Sequence, residues 1–91
     1  MTFVIIGYDA EDSYDKRPQH RDEHLKRLEE LDREGKLIMA GPFTDKTGSL
    51  IVIEADSLEE AEAFAKNDPY FLHGIFIKVD VKPFNWVLPK K

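Results

Sequence analysis

Ninety-one residues, 42% of them hydrophobic and 34% charged, suffice for one domain with a modest core and are too well mixed for a disordered chain. The net charge of −5 argues against a nucleic-acid binder, which usually shows a basic face. The absence of cysteine removes disulfides and thiolate metal sites, and no apolar run approaches the roughly 20 residues that cross a bilayer.

Met1-Thr2 leads straight into Phe3-Val4-Ile5-Ile6 without a leader peptide, so a cytoplasmic protein is the expectation. Phe3 to Tyr8 reads as a first strand, apolar on both alternating faces, and Asp9 to Asp15 as a polar loop. The first helix is placed from Pro18, whose missing N–H costs nothing in a first turn, to about Glu34. Asp22 and Glu23 then complement its dipole, and Gly35 is the left-handed residue past its end. Lys36 to Phe43 reads as a second strand, with Gly41 permitting a bulge or close backbone approach and Pro42 ending the pairing. Thr44 to Gly48 is a hairpin turn, and Ser49 to Ala55 a third strand, again apolar on both faces. Ser57-Leu58-Glu59-Glu60 is a capping box opening a second helix that runs to about Lys66. Asn67 and Asp68 stop it, and Pro69 turns Asp68 away from helical geometry. Ile75 to Val81 is the fourth strand, with Ile75, Ile77, Val79 and Val81 on one face and Phe76, Lys78, Asp80 and Lys82 on the other; Pro83 ends it, and a tail with Phe84, Trp86 and Val87 follows.

Residues 1–91 therefore read as a single α+β domain of order β-α-β-β-α-β, the ferredoxin-like pattern of two helices on one face of a four-stranded antiparallel sheet. A sheet with a solvated face should alternate polar and apolar residues, and the first and third strands do not. The uncovered face is expected to meet a second copy, sheet against sheet, in a symmetric homodimer.

At about 100° per residue, Leu28, Leu31 and Gly35 share one stripe of the first helix, with Leu25 at its margin. Going backwards, His24 and Arg21 fall on the same stripe. Its inward face thus changes from leucine to an imidazole and a guanidinium, which are costly to bury without partners. Asp68 is a natural partner. Imidazole suits proton transfer near neutral pH, and a carboxylate on one ring nitrogen fixes the tautomer and leaves the other nitrogen for substrate. Arg21 and Arg17 are candidates to hold an anion by fork-like hydrogen bonds, with Arg21 favoured; the alternative is that they lie on the surface or pair with Asp22, Asp9 or Asp12. Ser49 is a candidate donor into the cleft. Tyr70 and the other aromatics read more readily as core or interface. His20 and His24 lie four apart, a spacing that can bind a metal, but no third ligand is obvious and Arg21 disfavours a cation. No metal and no cofactor is expected. His73 reads as a surface or turn histidine, and no phosphate loop, dinucleotide fingerprint or Ser-His-Asp order is present.

With those residues in place, the chain resembles the YCII-related (YciI-like) family of small proteins. The matching pieces are Arg17, Arg21-Asp22-Glu23-His24-Leu25, Gly35-Lys36-Leu37, Ala40-Gly41-Pro42-Phe43, Gly48-Ser49, Asp68-Pro69-Tyr70, Gly74-Ile75-Phe76 and Val81-Lys82-Pro83-Phe84. The resemblance covers nearly the whole chain, although the Phe43–Gly48 loop is short where some relatives carry an insertion. It implies a dimeric α+β barrel and an active site built from His24 and Asp68. At least one member resembles an enzyme that dechlorinates a chlorinated hydroxyquinol. The expectation is a cofactor-free enzyme performing elimination or isomerisation on a small anionic, aromatic or carbonyl-bearing substrate. His24 and Asp68 would be catalytic, and Arg21, Arg17, Ser49 and Tyr70 would contact substrate. The alternative is a non-enzymatic ligand-binding or structural homodimer. Neither reading involves nucleic acid or a membrane.

Overall fold

The computed structural model describes residues 1–89. The elements are β1 (Thr2–Asp9), α1 (Ser13–Arg33), β2 (Leu37–Pro42), β3 (Gly48–Glu54), α2 (Leu58–Lys66), α3 (Pro69–Leu72) and β4 (Phe76–Phe84). The four strands form one antiparallel sheet in the order β2-β3-β1-β4. This is the ferredoxin-like fold, with the short α3 added between the second helix and the last strand. Among the described residues no helix is long and apolar enough to cross a membrane.

The helix-facing side of the sheet carries the main core: Phe3, Ile5, Ile51 and Ile53 are buried against Leu28, Ala61 and Ala65. A smaller cluster of Tyr70, Ile75 and Phe76 lies beside it. Two-sided apolarity in β1 and β3 holds. Val4 pairs with Val52 and Ile6 with Leu50 on the face away from the helices.

Four expectations are corrected. First, α1 begins at Ser13 rather than Pro18, so the loop shrinks to Ala10–Asp12 and Asp15, not Asp22 or Glu23, lies in the first turn. Pro18 sits inside the helix. The bond it cannot donate would have gone to the carbonyl of Tyr14, an exposed residue, so the loss falls where water can compensate. Gly35 does follow the helix at φ +76°, as its position demanded. Second, Gly41 is neither a bulge nor a close approach. It pairs regularly with Leu50, and a Cβ there would meet nothing within 4 Å. The register shift in β2 lies between Leu37 and Met39, at Ile38. Third, Pro83 pairs within β4 opposite Phe3 instead of ending it; β4 is an edge strand, where a missing donor is tolerated. Fourth, the alternation in β4 breaks. Tyr8 faces Lys78 and Asp9 faces Phe76, so Ile77 is an extra residue, 68% exposed. The shift puts Phe76 on the core side together with Val79 and Val81.

Ser57 caps α2, its hydroxyl accepting from the Glu60 N–H at 3.1 Å. Asp68 does the same for α3, its carboxylate accepting from the Tyr70 N–H at 2.8 Å while its backbone stays extended.

Candidate active site

Once α1 starts at Ser13, the helix wheel brings Arg17 onto the buried stripe. At about 100° per residue, Arg17, His24, Leu28 and Leu31 span about 60°, with Arg21 on one flank and His20 and Glu23 on the other. His24 and Leu28 are buried. Arg21 is exposed and Arg17 half-buried.

The Asp68 carboxylate that caps α3 also receives His24. His24 Nδ1 lies 2.8 Å from Oδ1 and 2.9 Å from Oδ2, and both side chains are nearly sealed from water, at 8% and 4% exposure. With Nδ1 as the donor to Asp68, Nε2 is the nitrogen left free. The Tyr70 ring stacks on the imidazole at 3.9 Å with only 5° between the planes, and Phe76 meets both rings edge-on. Gly7 makes that arrangement possible: a Cβ there would lie 2.7 Å from the Phe76 ring.

Arg17 forms the second half of the site. Its Nη2 donates to both oxygens of Asp9 at 2.8 Å and lies 3.4 Å from Ser49 Oγ. Ser13 Oγ donates to the same Asp9 carboxylate at 3.1 Å. The guanidinium lies over Tyr14 and Tyr70, at 5.0 and 5.1 Å from the ring centres. Burial raises the Tyr70 phenol pKa, opposed by the positive charges of Arg17 and Arg21.

These groups border a cavity of about 470 Å³ between α1 and the β2–β3 edge of the sheet, where Arg17, Arg21, His24, Ser49 and Tyr70 all face it. Every site residue read from the sequence is therefore brought to this cavity or directly behind it: Asp68 stands behind His24. Asp9 is the one of the three candidate carboxylates that pairs with Arg17; Ser13 and Tyr14 carry no signal in the sequence, where Asp9 to Asp15 reads as a loop, and the longer helix brings them to the site. Arg21 makes no ion pair among the described residues, so it is the unneutralised cation of the cavity, whereas Arg17 is matched by Asp9. The spacing of His20 and His24 does not make a site, since Nδ1 of His24 belongs to Asp68. His20 stacks instead on His73.

These features define a small ferredoxin-like α+β domain with a cavity lined by Arg17, Arg21 and the His24 imidazole, behind which Asp68 stands. The profile of the YCII-related domain matches residues 1–85, and the chain belongs to that family. It is 41% identical to Protein YciI of Escherichia coli O6:H1, over 96% of this chain and 99% of that one. It is 35% identical to an uncharacterized protein of Haemophilus influenzae over the same shares. Among solved structures it resembles a 5-chloro-2-hydroxyhydroquinone dehydrochlorinase from Burkholderia phenoliruptrix AC1100 in complex with 2,5-dihydroxybenzoquinone. The TM-score is 0.82 with 31% identity, covering 93% of this chain and 94% of that one.

Proposed function

We propose that this protein is a cofactor-independent enzyme that moves a proton on a small anionic, aromatic or carbonyl-bearing substrate, in an elimination such as dehydrochlorination or in an isomerisation. The observation that carries the reading is the buried His24–Asp68 pair facing the cavity. The likeness to a dehydrochlorinase solved with a dihydroxybenzoquinone supports the reaction class and a ring-sized ligand.

In this reading His24 Nε2 takes a proton from the substrate, and Asp68 steadies the imidazolium that forms. In a dehydrochlorination the substrate loses that proton to Nε2 and chloride to solvent, the carbon–chlorine electrons leaving with chloride. Arg21 holds the substrate's negative charge, Ser49 donates a hydrogen bond, and the Tyr70 ring walls the pocket. Arg17 positions Ser49 and Tyr70 rather than supplying free charge, because Asp9 neutralises it. The enzyme works as a homodimer joined through the outer face of the sheet.

The test is a chloride-release assay with 5-chloro-2-hydroxyhydroquinone, alongside calorimetric binding of 2,5-dihydroxybenzoquinone. Turnover should fall at least 100-fold in His24→Ala and be kept in His20→Ala, with quinone binding retained in both. Quinone binding without turnover of any substrate in the wild type would favour a ligand-binding module instead. Turnover unchanged in His24→Ala would exclude the acid–base role.

A further inference from the structure

We propose a second site on the far flank of α1: a binding site for a Zn²⁺-class transition-metal ion formed by His20, Glu23 and His73. One ligand atom from each residue lies within 4.8 Å of the others. Two imidazoles and a carboxylate form a donor set suited to Zn²⁺, Co²⁺ or Ni²⁺, and three protein ligands leave a fourth position for water. In a tetrahedral zinc site with bonds near 2.1 Å, neighbouring donors stand about 3.4 Å apart, so closure needs a movement of about an ångström.

The local structure favours that movement. His20 and Glu23 are three apart on α1 and so share a face. His73 is the C-cap of α3, followed by Gly74 at φ +74°, which turns the chain away toward β4. The His20 and His73 rings now stack at 3.7 Å and 6°, an arrangement that sets their in-plane lone pairs side by side rather than converging. Metal binding would therefore require the exposed His73 ring to turn out of the stack. Among the described residues no hydrogen bond holds that ring, and His20 Nδ1 is buried without a partner. Arg21, which argued against a cation in the sequence, lies about 160° around the helix from Glu23 and faces the cavity instead.

The ion would clasp α3 to α1. Asp68 caps the other end of α3 and His24 follows His20 by one turn, so occupancy would hold the His–Asp pair in register without touching it. This site does not depend on the proposed activity, and its test needs no substrate. Zinc chloride is titrated by calorimetry into the full chain and into His73→Ala, Glu23→Gln and Asp68→Asn, with folding checked by circular dichroism. The wild type should bind one ion per chain with micromolar or better affinity. His73→Ala and Glu23→Gln, both at exposed positions, should weaken it at least tenfold, and Asp68→Asn should leave it intact. In nitrogen-15 spectra, zinc should move the ring signals of His20 and His73 and not those of His24. Equal zinc affinity in wild type and His73→Ala, or binding lost only in Asp68→Asn, would overturn the site.

Discussion

At the residue scale, Asp68 has two tasks on one carboxylate. It accepts from His24 and from the N–H of Tyr70. Removing it strands a buried imidazole and uncaps α3, and the two losses together are worth about 3 kcal/mol. Asp68→Ala should therefore lower stability by about that amount in urea unfolding, while Asp68→Asn, which keeps an acceptor, should cost about 1 kcal/mol. Equal costs would mean that the amide oxygen of Asn replaces neither of the carboxylate's bonds. Tyr70 gives a second prediction, about pH. Burial outweighs the two arginines and raises the phenol above its usual 10.0. A group that binds its proton more tightly when folded contributes stability that is intact below the unfolded pKa and lost as pH rises through the folded one. Stability should thus fall above about pH 10 more steeply in wild type than in Tyr70→Phe. In the 295 nm absorbance titration, Tyr70→Phe should remove a late component. A component lost below the normal tyrosine range would show that Arg17 and Arg21 win instead.

At the element scale, what the sequence revealed depended on whether a pattern survived its neighbours. The wheel of α1 placed His24 inward because leucines four and seven residues on fix the buried stripe, and Asp-Pro marked the extended backbone that lets Asp68 cap and reach across. The helix start was misplaced because Pro18 fits a first turn so well. With the start placed at Pro18, Ser13 and Tyr14 fall in a loop and Arg17 lies outside the helix, so the wheel does not bring them to the buried stripe. Regular alternation puts Ile77 on one face with Val79 and Val81; a bulge is set by pairing with β1, and period alone does not show it. The meeting of His20 with His73 depends on α3, a four-residue helix that carries no periodic signal of its own. Gly7 carries no signal of its own inside an apolar strand, yet the Phe76 ring packs where its side chain would stand. Gly7→Ala should push the Phe76 ring off β1, lower stability by about 1–3 kcal/mol, and reduce turnover without altering a residue that touches substrate. Gly41→Val, by contrast, should leave the melting temperature unchanged, since nothing lies within 4 Å of the new side chain. A Gly7→Ala variant as stable and active as wild type would show that Phe76 does not depend on this contact.

At the scale of the whole molecule, the question is what covers the outer face of the sheet. Met39, Val52 and Val4 form one row across β2, β3 and β1, and Leu50 and Ile6 the next. Met39 is 55% exposed, and Phe84, beside Thr2 at the sheet's end, 50%. Charge enters this face at β4, where Lys82 and Asp80 follow Val4 and Ile6 in register. An apolar field with a charged margin has the make-up of an interface core and its rim. A second copy of the same face can cover it with two-fold symmetry, burying the apolar rows against each other and leaving the charged edges at the periphery. A stable interface of this kind needs roughly 800 Å² from each partner, within reach of a four-stranded sheet. Light scattering at micromolar concentration should then give twice the chain mass of 10.5 kDa. Leu50→Glu places a carboxylate in the middle of the apolar rows, opposite Ile6 and away from the cavity, so it should yield a folded species of single-chain mass with its circular dichroism preserved. A wild-type chain that stays monomeric at these concentrations would mean that the field is tolerated in water or covered by another partner. A Leu50→Glu variant that remains dimeric would move the interface to a different surface.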